Sequence, residues 1–280
     1  MNKRAVRAIA RKDIISIASN IQVWLPMLII PLIFSVVYPI GLAFVIRATG
    51  NEISGDFGEI LDKLEKLPLL SSGSLRRTLD SLVTDQQRAA YLMFNYLMSP
   101  FFLMIPLMAA STISVDSFVG EKERGTLEGL LLSPVDMRSV FIAKVLASLL
   151  PAVTVSLLSF VLLAVCTNAF AWPMFGRLFF PNISWAPLIL LVMPAVSLLA
   201  VLINVFVSVR VSTFQAGYQM TGFLVLPVVA LMIMQFAGLM LLDVKMLLAI
   251  GVAIIIVDYA LLKIILGRLD RAQIFESQVR

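Results

Sequence analysis

The chain has 280 residues, of which 60% are hydrophobic and only 14% charged, with a mean hydropathy of +0.98. A soluble domain is about a quarter charged, so this composition excludes an ordinary water-soluble protein and leaves little chain for a soluble domain. The absence of histidine and the single Cys166 remove imidazole metal sites, His-based triads and any internal disulfide.

Residues 1–19, wound as a helix, place Val6, Ile9, Ala10 and Ile17 on one face and Arg4, Arg7, Arg11 and Lys12 on the other. The spacing predicts an amphipathic helix over 1–20, lying on the cytoplasmic membrane surface with its cations toward anionic headgroups. Asp13 falls within the apolar face and interrupts it; a basic tail that only sets orientation is the alternative.

Crossing a ~30 Å hydrocarbon core takes roughly 20 apolar residues as a helix. Six such windows follow, at about 21–46, 91–115, 145–168, 183–209, 218–242 and 246–266. Uninterrupted apolar runs of this length exclude the alternating strands of a barrel. The first run is too long for the core of a secretory signal, and the only small-residue cleavage candidate, Ala48-Thr49-Gly50, follows the whole run. The expected fold is therefore an all-α integral membrane protein: the interfacial helix of 1–20, then a six-span domain over 21–280.

Between the first two windows, Phe57, Ile60, Leu61 and Leu64 form one helical stripe, ended by Pro68, and Leu75, Leu79, Leu82 and Val83 form a second. The residues Thr84-Asp85-Gln86-Gln87 offer a capping box for the next span. Segment 47–90 is expected to be an extracytoplasmic helical hairpin, or else a packed linker.

The loop 120–138 carries GEKERGTLEGLLLSPVD over 120–136. Gly120 and Gly125 have the spacing of a phosphate-binding loop, but Thr126-Leu127 follows where Lys-Ser/Thr is needed, and no strand precedes it. Gly125 breaks the incoming helix, Thr126 can cap a new one, and Leu127, Leu130 and Leu131 form an i, i+3, i+4 stripe. Ser133-Pro134, with Asp136, should close that short helix and open the next. Exposed leucines on so short an element call for a partner groove; the solvated loop is the plain alternative.

Orientation follows from the basic residues. Fourteen of the 22 fall in 1–20, 120–144, the link near Arg210 and the tail 263–280, which puts both termini on the cytoplasmic side of a multi-pass plasma-membrane protein. The positive balance then reflects orientation, and no nucleic-acid partner is expected. Inside the spans, Asp258 is the only deep acid; it needs a partner on another helix, with Asn204 or a group across a dimer as candidates. Asn204, Gln235 and Asp258 are the polar candidates for a transport pathway.

At Gly120-Glu121-Lys122-Glu123-Arg124-Gly125-Thr126-Leu127-Glu128, with Leu130-Leu131 and Ser133-Pro134, the chain resembles the E-x-E-x-x-T-L-E-x-L-L-x-x-P signature of ABC-2 type permeases, the membrane subunits of ABC exporters. The six-span layout extends the resemblance over nearly the whole chain. It implies a coupling helix that docks on a separate ATPase subunit, with Glu121, Glu123, Thr126, Leu127, Glu128, Leu130, Leu131 and Pro134 in the coupling segment. A second contact is implied in the link between spans four and five, at Phe214 and Gln215.

The resemblance further implies no catalysis and no cofactor in this chain, with ATP and Mg on the partner, two ATPase copies and a second permease, identical or paralogous. The family often places re-entrant helices between the last two spans, whereas here only Asp243-Val244-Lys245 separates them; Gly238 or Pro227 could break the fifth. Ten of the 13 prolines lie in or beside the spans, and Met220, Met232, Met234 and Met240 recur in the fifth. These features suit a deformable apolar pathway and a peptide, drug or other amphipathic cargo. An ion such as sodium is the alternative cargo, and a self-sufficient secondary transporter or channel the alternative class.

Overall fold

The computed structural model describes residues 3–48, 74–125 and 136–278. Among these residues there is no strand. The helices are α1 (Lys3–Ser19), α2 (Val23–Ala48), α3 (Ser74–Asp80), α4 (Asp85–Glu123), α5 (Met137–Phe175), α6 (Trp185–Arg210), α7 (Phe214–Phe236) and α8 (Val244–Gln278). Six of them, α2 and α4 to α8, are long and apolar enough to cross a membrane.

The bundle is built around α4. Of its apolar window 83% is buried, against 17% for α7 and for α8, and it packs on α2, α5, α6 and α7. Small and hydroxylated residues (Ser99, Ala109, Ala110, Ser111, Ser114) line this central helix and are buried, which lets neighbouring backbones approach closely in the absence of a hydrophobic drive between helices. The outer helices instead expose leucine, isoleucine and valine, such as Leu158, Val161 and Ile256. In lipid those exposed side chains are solvated, not stranded.

Three spans contain π-helical turns: α2 at Ile33–Val37, α4 at both Met93–Leu97 and Asp116–Gly120, and α6 at Leu188–Val192. A π-turn inserts a residue and rotates the face presented by everything downstream. The turn at Asp116–Gly120 therefore sets where Glu121 to Arg124 point.

Several boundaries differ from the sequence expectation. The third span is one continuous helix from Met137, because Asp136 is its N-cap: the carboxylate accepts from Ser139 N (3.1 Å) and Ser139 Oγ (2.7 Å). The Ser133-Pro134 opening expected there falls in 126–135, outside the described residues. The fifth span ends at Phe236, not near 242, and Gly238 follows at φ 69°. Residues 237–243 hold no re-entrant helix; Leu241 and Leu242 turn inward and are 1% exposed, so their hydrophobicity is used in the link instead of in lipid.

The first stripe of the 47–90 segment and the turn after it lie outside the described residues. Of the second stripe, Leu79 and Leu82 are buried, but Val83 is 89% exposed and does not belong to the packed face. The capping box is present: Thr84 Oγ1 accepts from Gln87 N, and Gln87 Oε1 accepts from Thr84 N. Gln87 also donates to the Met174 carbonyl at 2.7 Å, tying the start of α4 to the end of α5.

Candidate coupling site

The acids and bases of residues 121–124 do not form a solvated loop. The helix α4 continues through Glu123 and ends in a turn at Arg124 and Gly125, where φ is 68°, a conformation open to glycine without strain. Just before it, Gly120 is needed for another reason. A Cβ there would sit 2.8 Å from Asp116 Oδ1 and 3.2 Å from a guanidinium nitrogen of Arg124, in the path of the Arg124–Asp116 ion pair (3.0 Å) that crosses over it. Asn20, in the break between α1 and α2, donates to the same carboxylate oxygen at 3.3 Å.

Glu121 is 7% exposed and holds two other helices. Its Oε2 accepts from Lys144 Nζ of α5 at 2.6 Å, and its Oε1 from Lys12 Nζ of α1 at 2.9 Å. Lys144, itself 2% exposed, also donates to the Ser117 carbonyl at 2.6 Å and lies over the Phe118 ring. Asp13 completes the group, 3.7 Å from Lys144 Nζ and 3.5 Å from Lys12 Nζ.

Two acids and two ammonium groups make this cluster formally neutral, the condition under which buried charges are tolerated. Its members are not equal, however. Asp13 is within ion-pair reach of both lysines but neither of its oxygens has a hydrogen-bond partner among the described residues, and burial pushes its carboxyl above the ordinary aspartate value. Burial works against the Lys12 ammonium, but the hydrogen bond and charge of Glu121 outweigh it and hold Lys12 above its ordinary value.

Lys122 and Glu123 reach the link between α6 and α7. Lys122 Nζ donates to the carbonyls of Ser208 (3.3 Å) and Val211 (3.0 Å) at the C-terminal end of α6. Glu123 Oε2 accepts from Phe214 N (2.6 Å) at the first turn of α7, where Thr213 is the N-cap. A cation at a helix C-terminus and an anion at a helix N-terminus each complement the peptide dipoles, by about 0.3–1 kcal/mol. Phe214 is half-buried and Gln215 exposed. Thus Glu121 and Glu123, placed in the coupling segment by the resemblance, bond to α1, α5 and α7, and with Lys122 the segment gathers four other helices at the end of α4. Thr126, Leu127, Glu128, Leu130, Leu131 and Pro134 lie outside the described residues.

The intramembrane candidates separate into three environments. Asn204 is not the partner of Asp258. Its amide nitrogen donates to Ser114 Oγ (2.6 Å) and the Ser111 carbonyl (3.3 Å) of α4, and its oxygen accepts from Thr221 Oγ1 of α7 (2.7 Å). Asparagine has capacity for these contacts and is fully buried by them, so it joins α4, α6 and α7. Gln235, also fully buried, donates to the Tyr96 carbonyl at 3.4 Å, while its Oε1 has no partner among the described residues. Asp258 is 2% exposed and neither carboxylate oxygen is hydrogen-bonded among the described residues. It lies on the buried stripe of α8 with Leu247, Gly251 and Ile265, on the side that packs against α6.

Two further asparagines organise the opposite end of the bundle. Asn95 accepts from Asn182 N (2.8 Å), and Asn168 takes the amides of Phe179 and Phe180 and donates to the Phe180 carbonyl (2.6 Å), pinning the α5–α6 link. Above them Trp185 packs on Phe102, Phe160 and Phe180 with ring centroids 4.8–5.5 Å apart. Neither asparagine was marked by the sequence reading; a lone amide in a long apolar run, as each of these is, was the available signal.

A family model described as "ABC-2 family transporter protein" matches residues 7–257. No curated protein and no solved structure gives a significant match to the chain.

Proposed function

Because the chain belongs to the ABC-2 transporter family, we propose that it is the permease subunit of an ATP-driven exporter, working as a pair of permeases with two copies of a separate ATPase. Both termini and the 120–138 segment face the cytoplasm, and 126–135 docks in a groove of the ATPase through Leu127, Leu130 and Leu131. The cargo is an amphipathic molecule such as a peptide or drug, crossing at the permease–permease interface; Met220 and Met234, exposed on α7, offer a deformable surface for it.

The observation that carries this reading is the set of bonds at residues 121–124. A segment moved by an ATPase must transmit its displacement to the spans, and the residues directly before it hold α1 and α5 through Glu121, α6 through Lys122 and α7 through Glu123. A loop free of the bundle could not do so.

The test is co-purification from native membranes, followed by transport in proteoliposomes. Burial of each leucine in a groove contributes ~1.5–3 kcal/mol, so the combined Leu127→Ser, Leu130→Ser and Leu131→Ser variant should insert normally yet lose the ATPase and all ATP-driven transport. Retention of both would refute the docking assignment. A cysteine placed at Ser72, in a Cys166→Ser background, should be labelled from outside intact cells by an impermeant reagent. Labelling only after permeabilisation would invert the topology.

A further inference from the structure

One wall of a groove of about 730 Å³ is formed by Lys3, Arg7 and Arg11 of α1, and the other by Ile142, Leu146 and Leu150 of α5. The three cations recur at i, i+4 and i+8 and so stand on one ridge of α1, where they repel one another. All three are exposed, and none forms an ion pair with an acid among the described residues. Lys12, on the adjacent position, is held by Glu121. The ridge is thus a row of fixed positive charge with no anion among the described residues to answer it.

The facing wall has a different character. Ile142, Leu146 and Leu150 also recur at i, i+4 and i+8, and the row extends roughly 12 Å along α5. Leu146 is 36% and Leu150 53% exposed. Ile14 and Ile15 continue the apolar lining from the α1 side. A phosphate ion would need only the basic wall. A chain of methylene groups would need only the apolar one.

We propose that this groove is a binding site for one anionic glycerophospholipid of the cytoplasmic leaflet, with its headgroup phosphate on Lys3, Arg7 and Arg11 and an acyl chain along Ile142, Leu146 and Leu150. Basic pockets beside spans on the cytoplasmic side have the chemistry for acidic headgroups, with attraction of the order of 1 kcal/mol per basic residue near the surface. The bound lipid would tie α1 to α5 on the side away from the Lys144–Glu121–Asp13 cluster's own contacts. The site rests on the cytoplasmic placement of α1 given above but not on ATPase docking, so it is tested on the permease alone.

The experiment is native mass spectrometry of the full chain released from nanodiscs of phosphatidylcholine doped with phosphatidylglycerol. Wild type should retain one phosphatidylglycerol per chain, saturably, in preference to phosphatidylcholine, and millimolar inorganic phosphate should not displace it. The combined Lys3→Gln, Arg7→Gln and Arg11→Gln variant should weaken retention about a hundredfold. Leu146→Trp fills the groove and leaves every charge in place, so it should lose the lipid too; it also decides the question if the triple variant fails to insert. Displacement by phosphate would make this an anion site and overturn the lipid assignment. Retention by Leu146→Trp equal to wild type would reduce it to general headgroup attraction, and crosslinking of Leu150→Cys to a second copy would assign the groove to the permease pair instead.

Discussion

Glu121 and Asp258 are buried to a similar depth, 7% and 2% exposed, in the same bundle, and the protein treats them in opposite ways. Glu121 has an ammonium on each oxygen, at 2.6 and 2.9 Å. Asp258 has no hydrogen-bond partner for either oxygen among the described residues. Depth of burial therefore does not distinguish a structural acid from an unusual one; the partners do. At the α4 terminus a buried charge serves to join helices. In α8 a carboxyl, whose ionised form costs about 2.5–3.5 kcal/mol at the centre of a membrane helix, is kept without any such return.

The contrast can be broken first at Lys144. Lys144→Met removes the cation from a cluster that then holds two acids and only Lys12, and breaking a buried pair in this way costs about 3–5 kcal/mol. A large drop in thermal unfolding temperature in detergent, partly restored by adding Glu121→Gln, is expected; a temperature equal to wild type would show that the cluster does not join the helices.

Glu121→Gln by itself should be milder, about 1.5–3 kcal/mol, the value of hydrogen bonds to a charged group. Asp13→Asn should cost clearly less, although Asp13 faces the same lysine. Its carboxyl lies above the ordinary value because of burial, so whatever Asp13 contributes is present below about pH 4 and lost as the pH rises through its raised value. Above that value the substitution removes little. Equal losses for the two variants would contradict this ranking.

Smaller again is the effect at Asp136. The hydroxyl of Ser139 holds this carboxyl below its ordinary value, so its contribution is present above about pH 4 and lost as the pH falls through the lowered value. Asp136→Ala should lower the unfolding temperature slightly at pH 7, by an amount that shrinks as the pH falls below about 4; a difference independent of pH would point to a cause other than the cap.

Asp258→Asn should change stability least, with a slight gain as the expected direction, because it keeps the shape and replaces a carboxyl that has no hydrogen-bond partner among the described residues. Transport measured on the same protein sharpens the contrast with Glu121: a stable variant that has lost transport makes Asp258 functional, and one that transports with unchanged pH dependence leaves it a structural residue.

The parts legible in the chain were those that depend on local chemistry. Run length marked six spans, the Thr84 to Gln87 pattern marked a cap that is present, and Gly125 marked the end of α4. The reading of Asp13 shows where such signals stop. Periodicity placed it on the inward face of α1, where it read as a flaw, and its lysines lay in residues counted only toward orientation or a polar face. Lys144, 131 positions away, was counted as a cytoplasmic charge although it is 2% exposed. Likewise Asn204 was the natural partner for Asp258 by composition, yet both its amide donors go to Ser111 and Ser114 and its oxygen accepts from Thr221.

Hydrophobicity and helical period are properties of a segment, and they alone decided that this chain is a six-span helical membrane protein with a charged break after α4. Which helix lies beside which is set by close packing of small residues along α4 and by the phase shifts of its π-turns, neither of which has a period in the sequence. Only the assembled bundle could therefore decide that Glu121 meets Lys144 and Lys12, that Glu123 caps α7, and that Asp258 has no hydrogen-bond partner among the described residues.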